Sequence, residues 1–156
     1  MRMIGFALVA LVGALVSSAL AQEGTTNMDI LIQKVKADKK LLVAANMDLT
    51  DAEGKAFWPI YDAYQKDLQA VNERLGKAIA GYAEAYAKGP VPNDTAKKVF
   101  NDALAAEEAE LKLKQTYLPK LEKAVSAAKA VRYLQIENKI RAAIRYELAD
   151  QIPLVD

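Results

Sequence analysis

The chain reads as an all-α protein, an elongated four-helix hairpin or bundle with long, proline-kinked helices, and three observations predict it. Glycine and proline are confined to a few punctuation points, and the stretches between them are rich in Ala, Leu, Lys, Glu and Gln, the strong helix formers. Apolar residues return every three or four positions over runs much longer than a strand. Two of these runs follow helix-start devices, at Leu49 to Glu53 and at Val125 to Lys129.

The first 21 residues are expected to be a signal peptide rather than part of that domain. Arg2 supplies the positive start, Ile4 to Val16 the apolar run, and Ala19-Leu20-Ala21 a small-residue cleavage site. The run is shorter than the roughly 20 residues that a spanning helix needs. Export to the periplasm and a single helical domain over residues 22–156 follow as expectations. The chain has no cysteine, so neither disulfides nor thiolate metal sites enter the account.

Four helices are predicted in order. The first runs from Met28 to Asn46 behind Thr26 or Asn27, offering Leu31, Val35, Leu42 and Val43 to a core. The second starts at Thr50, where Thr50 and Glu53 can bond each other's backbone amides reciprocally. Phe57, Tyr61, Tyr64, Leu68, Val71, Leu75, Ala78 and Tyr82 then alternate at spacings of four and three, the seam of a helix packed along a partner. Pro59 should bend it, and Lys88 to Thr95 should end it. The third spans Thr95 to Val125, with Phe100, Leu104, Leu111, Leu118, Leu121 and Val125 inward and Pro119 as a kink. Its acidic stretch reads as a solvated, salt-paired face, because Glu108 with Lys112 and Glu110 with Lys114 are four apart in the favourable order. The fourth begins at Ser126 and carries Tyr133, Ile136, Ile140, Ile144 and Leu148 before Pro153.

Counting from Thr50 and from Ser126, apolar residues fall at the same four offsets: Phe57, Ile60, Tyr64 and Leu68 in one helix, Tyr133, Ile136, Ile140 and Ile144 in the other. With these starts, Leu49-Thr50-Asp51-Ala52-Glu53 and a degenerate Val125-Ser126-Ala127-Ala128-Lys129 followed by Ala130 to Lys139, the chain resembles the periplasmic LTxxQ family, the group of Spy and CpxP. The resemblance implies a bent helical hairpin, often dimerised into a cradle, that binds unfolded or misfolded proteins or docks on an envelope-stress sensor protein. Some members bind zinc through histidines. This chain has no histidine, so no zinc is expected.

The absence of histidine also removes Ser-His-Asp and Cys-His catalysis and histidine-containing metal sites. No glycine-rich phosphate loop is present, since Gly76, Gly81 and Gly89 are too widely spaced. The expectation is a non-enzyme with no cofactor and no metal.

Binding then falls to surfaces. On the fourth helix Arg132 and Lys139 flank one side of the apolar stripe, and Arg141 and Arg145, with Leu134, flank the other. Cationic stems lying along apolar surface would hold an extended client chain by forgiving contacts. Among the aromatics of the second helix, Trp58 and Tyr86 fall outside the seam and are expected to be exposed members of the client-binding set. Between Lys112 and Arg145 nine basic residues face two acidic ones, which keeps an anionic lipid or lipopolysaccharide surface open as an alternative. Nucleic acid is excluded, because the mature chain is balanced in charge and exported. A homodimer remains open.

Overall fold

A computed structural model describes residues 38–155, and among them the chain forms four helices and no strand. The helices are α1 (residues 38–47), α2 (Asp51–Ala87), α3 (Asn93–Ala124) and α4 (Ala127–Gln151). The expected signal peptide, the cap at Thr26 or Asn27, and Leu31 and Val35 lie outside the described residues. With 37 residues, α2 is about 55 Å long at 1.5 Å per residue, which gives the bundle its elongated form.

The start of α2 is the predicted reciprocal device. Thr50 Oγ1 accepts from the Glu53 amide at 3.3 Å, and Glu53 Oε2 accepts from the Thr50 amide at 2.9 Å. Ser126 caps α4 by accepting from the Lys129 amide at 3.3 Å. Lys129 occupies the place that Glu53 holds in α2, and it has a different use. Its Nζ donates to Glu53 Oε2 at 2.6 Å and to the Asp48 carbonyl at 2.7 Å. The two helix starts are therefore clasped to each other across one end of the bundle. Asp48 takes φ +47°, a left-handed conformation that aspartate tolerates better than most residues, and the bond from Lys129 holds its carbonyl in place. The hydrogen bond from Lys129 and the amide of Thr50 together keep the Glu53 carboxyl below its usual range.

Above this clasp sits the core. Val43 and Met47 of α1, Phe57, Tyr61, Tyr64 and Leu68 of α2, Tyr117 and Leu121 of α3, Val125, and Ala130 and Tyr133 of α4 form one buried cluster. No Cα atom of α4 comes within 8 Å of one of α2, so large rings must fill the gap. Tyr133 does so, packed edge-on against Phe57 at 5.2 Å and Tyr64 at 5.8 Å between ring centroids. Its hydroxyl accepts from Gln65 Nε2, and Gln65 also bonds Glu137, which pairs with Lys39 of α1 at 2.8 Å. Burial, with the charge of Glu137 added, pushes the Tyr133 hydroxyl far above its ordinary titration. No described buried side-chain polar atom lacks a partner.

The α2 seam is buried as predicted, except that Leu75 is half-buried and Gly76 joins the interior. Leu42 of α1 is 47% exposed, and Met47 takes an inward place beside Val43. The phase of α3 differs more. Phe100, Leu104 and Leu111 are 64%, 48% and 57% exposed, and the buried residues are Ala106, Glu110, Tyr117 and Leu121. The physical reason is that α2 already supplies bulky rings. The side of α3 that faces the interior carries the small side chains of Ala103 and Ala106, and the large ones turn outward. The helix also starts at Asn93 rather than Thr95, behind Pro92 with no side-chain cap. Both helices with internal prolines, Pro59 and Pro119, run unbroken past them. In α4, Ile144 is 42% exposed, and Ala130, Tyr133 and Glu137 are the buried residues.

Replacing Thr50 by Ala removes the hydroxyl half of the cap and leaves Glu53 bonded to Lys129. It should cost about 1 kcal/mol and lower the thermal midpoint by roughly 3–6 °C in a circular dichroism melt.

Candidate apolar cleft

Toward the far end of the molecule the three long helices enclose a cleft of about 410 Å³. Its floor is Val71, Leu75, Ala78, Ile79 and Tyr82 of α2. One wall is the first half of α3, from Ala96 through Val99, Phe100 and Ala103 to Glu110, and the other is α4 from Arg141 through Leu148 to Ile152. From Val71 to Tyr82 the floor rises about 16 Å. The volume lies in the range of ligand-binding pockets, and the lining is apolar except at one end.

That end is closed by a buried charged layer. Glu110 is 4% exposed and accepts from Arg141 Nε at 2.7 Å through Oε2 and from Lys114 at 2.7 Å through Oε1. Arg141, whose side chain is 13% exposed, also donates through Nη1 to Asn72 Oδ1 at 2.7 Å. One guanidinium thus joins α4 to α3 and α2. Burial alone would raise the Glu110 carboxyl, but the hydrogen bonds and charges of Arg141 and Lys114 outweigh it and hold the group below its usual 4.5. Arg145, one turn further, is held loosely, at 3.4 Å from Glu110 and 3.7 Å from Glu107, and stays 47% exposed at the cleft's margin. At the opposite end Tyr82 Oη donates to the Pro153 carbonyl at 2.9 Å, which folds the chain after α4 across the opening.

The sequence-predicted residues separate into groups. Arg141 and Arg145 line the cleft, but Arg141 is an internal tie and not a solvated flank. Their inward turn follows from the acidic pair Glu107 and Glu110 on the facing helix. Glu110 itself corrects the reading of that stretch as a solvated face, although its pairing with Lys114 is as expected. Arg132 and Lys139 are exposed, with no ion pair among the described residues, and at 100° per residue Arg132 points opposite Arg141. Leu134 packs half-buried against the core. Trp58 is half-buried too, edge-on to Phe57 at 5.1 Å and under Lys40 Nζ at 5.1 Å, well away from the cleft. Tyr86 is half-buried and lies against Tyr82 at 6.0 Å, near the cleft's outer end. Thr50, Glu53 and Ser126 are helix caps.

Sequence reasoning missed Asn72, Glu110, Val99 and Ala103 as parts of a site. A signal was present: Glu107 and Glu110 on one helix, Arg141 and Arg145 on another, each spaced to share a face inside an otherwise apolar seam. No described group of acidic side chains has the arrangement of a metal site, and no described helix is long and apolar enough to cross a membrane. Compared with known proteins, the chain matches no family model, no curated protein and no solved structure, so the cleft is judged on its geometry alone.

Glu110→Gln should destabilise the protein by about 3 kcal/mol in urea unfolding, because it leaves Arg141 buried without its counter-charge. A carboxyl lowered in the folded state stabilises above its unfolded value, near 4.5, and that stability is lost as pH falls through the folded value. Acid unfolding of the wild type should therefore steepen below pH 4.5, and the Gln variant should show a flatter profile over the same window.

Proposed function

We propose that the protein is an exported, non-catalytic holder of unfolded or misfolded polypeptides, and that clients rest on the lip of the cleft. One observation carries this reading: Phe100, Leu104 and Leu111 form an exposed apolar row on α3, and Phe100 is also part of the cleft wall, so row and cleft make one continuous surface. Exposed apolar area of this kind, bordered by charge, is what a soluble protein keeps for binding. Arg145 borders it on the α4 side. Side chains of a client can enter the cleft while its backbone stays in water, an arrangement tolerant of sequence. The resemblance to the periplasmic LTxxQ family points the same way and supports the envelope as the location.

The rival readings draw less support. The basic run on α3 and α4 projects a weaker field than its letters suggest, since Lys114, Lys129, Arg141 and Arg145 are engaged with carboxylates and Lys120 lies 4.2 Å over the Tyr117 ring. That weakens the case for an anionic lipid surface. No feature of the described surface singles out one sensor protein as a partner.

The test is suppression of aggregation of a reduced, unfolding reporter protein at near-equal molar ratio. Wild type should protect, and Phe100→Ser with Leu104→Ser should lose at least half of the protection. Arg132→Gln with Lys139→Gln, on the opposite face, should retain it. Equal protection by all three, or none by the wild type, would exclude the lip as the client surface.

A further inference from the structure

We propose that the cleft itself is a binding site for a single-chain anionic amphiphile, an alkyl chain lying along the apolar walls with its acidic head at Arg145. The inference goes beyond the holding of polypeptides and concerns the cleft's interior rather than its lip.

Three features select this chemistry. The first is the lack of hydrogen-bonding groups between the two ends. Val71, Leu75, Ile79, Val99, Ala103 and Leu148 present only hydrocarbon, and the helix backbones behind them are bonded internally. A polypeptide drawn inside would bring an N–H and a C=O per residue with nothing to satisfy them, at a cost comparable to a lost hydrogen bond each time. An alkyl chain brings none. The second is length. The floor rises about 16 Å, close to one leaflet of a bilayer's hydrocarbon core, which is half of roughly 30 Å. A chain of ordinary lipid length therefore spans it without emerging through the end that Tyr82 and Pro153 close.

The third is charge. In the inner layer three cations, Lys114, Arg141 and Arg145, face two carboxylates, Glu107 and Glu110, leaving one positive charge in surplus. Glu110 is taken up by the close bonds from Lys114 and Arg141. Arg145 keeps only the two long contacts and is half-exposed at the margin, so a ligand acid can take it from Glu107 and form the shorter, charge-assisted bonds that Glu107 does not. A neutral head would lack that charge-assisted bond.

Sodium laurate and its uncharged counterpart 1-dodecanol, each below the concentration at which it aggregates, are titrated into the purified protein by calorimetry. Laurate should bind saturably at one molecule per chain. Arg145→Gln should weaken laurate about tenfold, the worth of one charge-assisted hydrogen bond, and leave dodecanol unchanged. Ala103→Trp, which fills the cleft from the α3 wall, should abolish binding of both with helicity intact by circular dichroism. Ala149→Trp, from the more exposed opposite wall, serves the same purpose if the first variant misfolds. Absence of saturable laurate binding, an equal effect of Arg145→Gln on acid and alcohol, or binding that survives both filled variants would overturn the assignment. So would adsorption to anionic phospholipid vesicles that laurate does not compete for, since that describes a surface and not a cleft. Failure here with aggregation protection intact overturns this inference alone, and the reverse result overturns the polypeptide-holding role alone.

Discussion

The Arg141 guanidinium is the interaction on which the cleft depends. Carried on α4, it bonds Glu110 of α3 and Asn72 of α2, each at 2.7 Å, and so fixes the mutual placement of all three long helices at one level. Below that level the interior is filled by rings, and above it the walls stand apart around open apolar space. A buried ion pair of this kind adds little net stability over a well-packed apolar substitute, because desolvation offsets most of the attraction. What it supplies is position. A guanidinium with directional donors permits one spacing where a cluster of aliphatic side chains would accept many.

The opposite half of the molecule is organised by different means to the same end. The clasp of Lys129 on Glu53 and Asp48 sets the ends of α2 and α4 against each other, and Tyr133 then holds their axes apart at ring width. Gln65, Glu137 and Lys39 tie α1 into the same gap through a fully bonded polar chain. The bundle is thus filled at one end, with directional polar ties placed between apolar layers, and holds a cleft at the other, where Tyr82 and Pro153 join across its outer end. An apolar cleft can persist in water on such a frame because collapse onto it would break the ties below.

Much of this was legible in the letters, and the parts that were not share a cause. The α2 seam from Phe57 to Tyr82 could be read because its apolar residues are large, evenly spaced and preceded by a cap. In α3 the same periodicity points Phe100, Leu104 and Leu111 inward, because size and hydrophobicity alone predict burial. The interior side of α3 is lined by small residues instead, and Ala103 and Ala106 carry no periodic signal of their own. Glu110 and Arg141 read as solvated because a charge is buried only when its partner is known, and the two lie 31 positions apart in the chain. The family resemblance rested on the two helix starts. The structure gives those starts a physical role in joining α2 to α4, which any helical hairpin of this length would find useful.

The proposed holding of clients and the proposed acceptance of an alkyl chain both require that the cleft walls stand apart in solution at a defined width. Because the chain has no cysteine, spin labels can be placed uniquely through Lys97→Cys on α3 and Asp150→Cys on α4, both exposed and beyond the charged layer. The pulsed dipolar distance between them is the most direct test. A single narrow distribution that broadens or shortens when Arg141→Gln is added is the predicted result. A distribution already broad without that change, or one that Arg141→Gln leaves untouched, would contradict the account.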